Sequence, residues 1–520
     1  ARGPAGRDTR SRPRREPQSI TTSGGLRRYD RNAIGSAEVA LFMRESPART
    51  LVLLFAGLLL VAFILLRRPD YLAKPEMLGT VIAAQIVIAA ISRYKQLYFL
   101  MVMAAFLWAG LVVPMSEAWL QGRWVVLGIG VVVGVASYMR DRHQRHLGTI
   151  HLLALFCVLS ATVSASVSGY PEEALLKSLS LFLLFAYAAM GARLTVSPFE
   201  PEKFFRKLLL ACEIAMYIAA FMYFVVREPI FGNPNSLGAV MGVIVVPVLF
   251  WGFLSAESTI TRRRVGLEVC LAGTLLMSSF SRAGIAAAAV SCFAIAVAVR
   301  QYRLIVSGVV VTLVIATLTV MFVPRPLETL QDDQSESVAS LFLYKGKPGE
   351  GLLGSRIRPW DETMTVIKKH PWFGSGFGTS VSGQSTIDFE FTRSRFIESR
   401  MVREHGNSYL AIMEWSGLLG VFPFYLLVLV TAWQAKRALS QLRRSGNIGS
   451  PAVPAAAVII AGVIGAGFED WLFAVGYYVS VFFWVMAFIL TDLLPSPMSS
   501  VQENELAASE APFAVPVGAQ

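Results

Sequence analysis

Apolar stretches of about 15–25 residues, separated by short polar breaks, recur along most of the chain. Each is long enough to cross a hydrocarbon core of about 30 Å as a helix. The first runs from Leu51 to Leu66 and ends in Arg67-Arg68-Pro69 with no small-residue cleavage site, the pattern of a retained span rather than a removed leader. Further spans centre on residues 77–92, 97–113, 124–139, 150–167, 176–192, 207–226, 236–254, 265–280, 283–299, 304–323, 407–433, 452–468 and 471–492. The pattern predicts an all-α polytopic membrane protein with about 14 transmembrane helices. It divides the chain into a basic tail (1–50), N-terminal spans (51–226), a core segment (227–435), C-terminal spans (436–494) and a second tail (495–520). Both tails lack an apolar pattern and are expected to be disordered.

Composition agrees: 54% of residues are hydrophobic and 16% charged, against about 25% charged in soluble domains. The net charge of +12 does not argue for nucleic acid, because the Lys and Arg residues cluster in inter-span loops, where they set topology. Arg93 and Lys95, Arg140, Arg142 and Arg145, Lys203, Arg206 and Lys207, Arg262–Arg264, Arg300 and Arg303, and Lys436, Arg437, Arg443 and Arg444 all follow even-numbered spans. Both termini are therefore expected in the cytoplasm, with only Arg67, Arg68 and Lys74 against the pattern. The four cysteines, Cys157, Cys212, Cys270 and Cys292, sit in apolar runs without CxxC spacing. His143 and His146 have no ligand cluster beside them, so neither a metal nor a cofactor is expected.

One outer loop, 324–406, is far longer than an ordinary connection of about 4–6 residues. It holds the acidic QDDQSES at 331–337 and an amphipathic helix with Trp360, Met364 and Ile367 at helical spacing, stopped by Pro371. FGSGFG at 373–378 follows, then a cationic stretch with Arg393, Arg395, Arg400 and Arg403 leading to His405. The GSGFG run is not a phosphate loop, because no βαβ unit fits between membrane helices, and its glycines mark tight turns. Asp332-Asp333 either recruits a divalent ion or, as is usual for an adjacent acidic pair in a Ser-rich loop, is simply solvated.

Three segments share the outer face: REPIFGNPNSLG at 227–238, SSFSRAG at 278–284 and REHGNSYLAIMEWSGLLG at 403–420. Arg282 interrupts an apolar run at the interface, where it either binds an anion or snorkels to anchor a helix end. His405 stands at the mouth of a span. Arg400 and Arg403 favour its neutral form and Glu404 opposes this; a neutral imidazole accepts a proton from a hydroxyl, and the alternative is a helix cap. Asn407, Tyr409 and Glu414 fall on nearby turns, with spacing equally that of packing. Glu469-Asp470, in the turn between the last spans, either neutralises an arginine or ends a helix.

FGNPNSLG at 231–238, SRAG at 281–284, R-x-R-P-W with HPWFGSGFG at 356–378, and H-G-N-S-Y-L with E-x-S-G-L-L-G at 405–420 together resemble the bacterial O-antigen ligase and polymerase superfamily, over about residues 225–435. The resemblance implies a GT-C-like helical glycosyltransferase of the bacterial inner membrane, without a metal. Its donor would be an undecaprenyl-diphosphate-linked oligosaccharide on the periplasmic face, and its acceptor a lipid A core or a second glycan. A chain-length regulator and a flippase are the implied protein partners. Carried over by position, His405 is the base or acceptor-positioning residue, and Arg282 and Arg227 bind the donor diphosphate. Arg356, Arg358 and Arg403 are supporting contacts, Asn233 and Asn235 lie in the substrate-binding FGNPN segment, and Trp360 covers the site. The span count exceeds what is common among ligases, which leans the reading toward a polymerase. A transporter or lipid-linked-glycan flippase suits the spans equally, but no internal repeat is visible and Glu213 and Glu268 lie near the cytoplasmic ends of their spans.

Overall fold

Prolines and short polar side chains set where the helices begin. Pro171, Pro201 and Pro234 occupy first turns, where a missing N–H costs nothing. Asn233, Ser258, Ser281 and Asn407 accept hydrogen bonds from first-turn amides. The structure is a computed structural model that describes residues 95–111, 116–140, 147–197, 200–227, 230–231, 233–322, 354–380 and 405–494. In chain order its helices are α1 (Lys95–Ala109), α2 (Ser116–Arg140), α3 (Thr149–Ser166), α4 (Pro171–Thr195), α5 (Pro201–Val226), α6 (Pro234–Ser255), α7 (Thr259–Ser278), α8 (Arg282–Ala298), α9 (Tyr302–Phe322), α10 (Gly354–Lys369), α11 (Ser408–Ser445), α12 (Ala452–Ala466) and α13 (Tyr478–Leu493).

Among the described residues there is no strand. Six helices are long and apolar enough to cross a membrane, and α1, α8, α9, α12 and α13 are shorter apolar helices. The chain is an all-α polytopic membrane protein. Each predicted span from 97–113 onward coincides with one of these helices. Spans 51–66 and 77–92, both tails, His143, His146, QDDQSES, Asp332-Asp333 and Arg393, Arg395, Arg400 and Arg403 lie outside the described residues.

Apolar side chains crowd both the interior and the outer surface, as the bilayer requires. Nearly all of α13 from Tyr478 to Leu490 is buried, as is most of α12, so these helices form the centre of the bundle, being apolar all round. By contrast α9 turns Val306, Val309, Val310 and Leu313 outward, and α11 turns out Phe422 and Leu429. Small residues let α6 and α8 touch. A Cβ on Gly242 would lie 2.2 Å from the Gly284 carbonyl oxygen, and one on Gly238 would lie 2.1 Å from the Ser281 Cβ.

Two departures from the hydropathy pattern build the site. The first is a break in α11 at Gly417, whose φ of 58° and ψ of −160° are not helical. There Leu418 and Leu419 donate their N–H groups to the Pro371 and Trp372 carbonyls, at 2.9 and 3.1 Å, while Ser375 and Gly376 donate to the Glu414 and Trp415 carbonyls, at 2.8 and 3.2 Å. The loop segment after α10 thus replaces the hydrogen bonds that the broken helix loses. Gly374, Gly376 and Gly378 take positive φ to make this approach, which accounts for the FGSGFG run as turns.

The second departure lies at 467–477, a stretch that includes the expected Glu469-Asp470 turn but also 471–477, which the apolar run predicts as the first turns of the last span. These residues instead form an irregular connection before α13. Leu472 is buried there without being helical; its N–H donates to Ser408 Oγ at 3.1 Å, and its carbonyl accepts from Ser480 Oγ and Trp484 Nε1 at 2.9 and 2.8 Å. Ser408 Oγ in turn donates to the Glu469 carbonyl at 2.7 Å, tying the start of α11 to this connection.

Candidate active site

Asn407 begins α11 by accepting from the Tyr409 and Leu410 amides at 2.8 and 3.2 Å, which fixes the backbone one turn below His405. Gly406, at a φ of 61°, turns the chain so that His405 points inward. The imidazole is 1% exposed. Its Nδ1 lies 3.3 Å from Asp470 Oδ2, and the same oxygen accepts the His405 backbone N–H at 2.8 Å. On the other side, Nε2 lies 3.1 Å from Ser380 Oγ and 3.3 Å from Oε1 of the fully buried Glu414. The Trp415 ring packs edge-on against the imidazole, and its Nε1 donates to Ser380 Oγ at 3.4 Å.

The carboxylates decide the electrostatics. Burial alone pushes the His405 pKa down, but hydrogen bonds and charge from Asp470 and Glu414 outweigh it and hold the pKa above its ordinary value. Burial likewise works to raise the Asp470 pKa, and the bonds from His405 overcome it and hold that pKa low. This differs from the neutral imidazole expected from Arg400 and Arg403. The charged groups that touch His405 are acids brought from α11 and the 467–477 connection. Carboxylates thus flank both ring nitrogens, Asp470 at Nδ1 and Glu414 at Nε2, and Ser380 Oγ shares the Nε2 side.

Arginines gather beside this cluster. Arg356, in the first turn of α10, donates to Glu469 Oε1 at 2.6 Å and packs against Gly406. Trp360, one turn on, donates from Nε1 to the Gly406 carbonyl at 3.4 Å. Arg282 opens α8 and lies close enough to Arg356 to feel its charge. The 231–238 segment adjoins the same connection, because Ser236 hydrogen-bonds Tyr477. Its Asn233 is the cap of α6, accepting from the Asn235 N–H at 2.8 Å.

The structure therefore brings His405, Arg356, Trp360 and Arg282 together. It does not bring in Arg358, which is 80% exposed and pairs with Glu362 one turn along α10 at 3.0 Å. Arg227 is exposed at the end of α5, with a φ of 62°, and Arg403 lies outside the described residues. The partners that sequence reading did not assign are Asp470, Glu414 and Ser380. Glu414 had a readable signal, an ionisable residue inside an apolar run; Ser380 had none. Among the described residues no group of three or more His, Cys, Asp or Glu side chains is placed to hold a metal ion.

A buried, carboxylate-flanked histidine thus lies beside arginines at one end of the helical bundle. Residues 267–425 match the family model Wzy_C, described as O-antigen ligase. The match supports the O-antigen ligase and polymerase superfamily for this segment. It runs from α7 into α11 and includes Arg282, Arg356, Trp360, His405 and Glu414, but stops short of Glu469 and Asp470. None of the curated proteins matches the chain.

Proposed function

We propose that this protein transfers or polymerises glycan from an undecaprenyl-diphosphate-linked donor on the periplasmic face of the bacterial inner membrane. The observation that carries the reading is the pairing of His405 with Asp470 next to Arg282 and Arg356, within and beside the segment that matches the O-antigen ligases. A lipid diphosphate is already a competent leaving group. Guanidinium groups bind its oxygens and offset the charge that develops as the glycosidic bond breaks.

His405 supplies the other half. Asp470 fixes the ring and makes Nε2 more basic, and Ser380 Oγ stands at Nε2 where an acceptor hydroxyl would stand. Taking the acceptor proton there is worth about 10²–10⁴-fold. Arg358, turned outward, has no part in this reading, and Arg227 and Arg403 remain candidate contacts for the long glycan. The positive-inside pattern of the sequence supports a site on the outer face, where no nucleotide is needed.

The experiment is the size distribution of undecaprenyl-linked glycan in the native host carrying His405→Ala at normal protein level. Accumulated single repeat units identify a polymerase, and accumulated long lipid-linked chains a ligase. An unchanged distribution with normal surface glycan removes the catalytic role of His405.

A further inference from the structure

The arginines packed into this bundle show what a guanidinium requires there. Arg193, 2% exposed, turns the edge formed by Nε and Nη2 onto Asp492, with Nε donating to Oδ2 at 2.9 Å and Nη2 to Oδ1. That side-on fork is how guanidinium meets a two-oxygen anion. Arg356 likewise has Glu469. An uncompensated cation at membrane depth is costly, so such pairing is the rule.

Arg123 breaks it. This residue stands near the start of α2, at the same end of the bundle as the Glu469–Gly476 connection, and its one hydrogen bond among the described residues runs from Nη1 to the Gly476 carbonyl at 2.8 Å. The guanidinium lies 5.3 Å from the Trp124 ring centre and 5.7 Å from that of Phe106. Gly476 admits it, since a Cβ there would lie 3.0 Å from Nη2. No carboxylate lies within ion-pair distance of Arg123 among the described residues, and its Nε is buried with no acceptor. The edge that Arg193 commits to Asp492 is thus set in Arg123 beside aromatic rings, with no carboxylate on it among the described residues.

We infer that Arg123 is an anion site that receives two oxygens of a lipid phosphate in the outer leaflet. Through Gly476 the site adjoins the same connection that carries Glu469, the partner of Arg356, and Asp470, the partner of His405. Phosphate esters are the anions that a membrane presents at this depth. If the transferase reading holds, on which the identity of the ligand rests, the lipid is the undecaprenyl diphosphate donor, with an ordinary phospholipid as the other source of the same chemistry.

The test uses the purified full chain in detergent, with undecaprenyl diphosphate and phosphatidylglycerol as separate probes, binding read by native mass spectrometry and stability by thermal unfolding. Arg123→Gln is expected to weaken undecaprenyl diphosphate binding about tenfold and abolish its thermal protection, and Arg123→Lys, which keeps the charge but loses the fork, to fall between. Loss of phosphatidylglycerol binding alone would support the site and identify phospholipid as its occupant. Wild-type protein that binds while Arg123→Gln and Arg123→Lys bind equally well overturns this inference and leaves the transferase reading standing. Wild-type protein that binds neither lipid overturns both.

Discussion

Asp470 and His405 are 65 residues apart in sequence and share one hydrogen-bonded pair. That separation is why the histidine was legible and its partner was not. His405 stands alone among polar residues at the mouth of a span, whereas Glu469-Asp470 reads as a turn until α11 and the connection after α12 are brought together. The pair carries a prediction with a definite sign. Because the His405 pKa is raised, transfer that needs the neutral ring declines as pH falls through that raised value. Asp470→Asn removes the hydrogen bond that helps to raise it, so the acid limb of the pH profile moves to lower pH while the maximal rate drops by about 10²-fold or more. A limb that stays in place in the variant contradicts the role given to Asp470. Arg358, read as a sugar or phosphate contact, stands apart from the His405 cluster. Its R-x-R-P-W context reads as one cationic patch, but helical geometry puts Arg356 inward and Arg358 out.

At the scale of elements, hydropathy located the helices and missed their interruptions. Leu418 and Leu419 continue the apolar run beyond Gly417 and conceal the break, just as Trp471–Phe473 conceal the irregular stretch before α13. Both are places where backbone hydrogen bonds go to another part of the chain, a trade that a sequence pattern does not record. The loop glycines and the α11 break form a single clip. A Cβ on Gly417 would lie 2.5 Å from the Trp372 carbonyl carbon, and one on Gly374 would lie 2.4 Å from the Trp415 carbonyl carbon. Each substitution by alanine also strains a positive φ, at about 1–2 kcal/mol before any clash. Gly417→Ala and Gly374→Ala are each expected to lower the unfolding temperature and to lose transfer together, since the clip holds Glu414, Trp415 and Ser380 around His405. Either variant with wild-type melting and activity would show that the clip does not shape the site.

Across the whole molecule, polar pairs sit at both ends of the bundle and do different work. Away from His405, Arg193 pairs with Asp492, and His151 Nε2 lies 2.5 Å from Arg193 Nη1. Elsewhere Arg264 reaches the buried Glu213 and Glu268 at 3.1 and 3.6 Å. These pairs join α4 to α13 and α5 to α7. Asp492→Asn strips a buried guanidinium of its carboxylate and is expected to cost about 3–5 kcal/mol, read as a lower unfolding temperature, while transfer per folded molecule stays at the wild-type level. Lost transfer at unchanged stability would place that pair in the chemistry instead. The all-α class and the spans from residue 97 onward were legible because membrane burial writes itself into long apolar runs. The close approach of α6 and α8 rests on Gly238, Gly242 and Gly284, which hydropathy does not weigh.

The most direct measurement is donor turnover by purified protein in proteoliposomes, comparing wild type with His405→Ala and Arg282→Ala at equal insertion. Wild-type protein is expected to move glycan to acceptor and release undecaprenyl diphosphate. His405→Ala should bind donor without turnover, and Arg282→Ala should lose transfer as well. Turnover by His405→Ala at the wild-type rate would contradict the role given to His405.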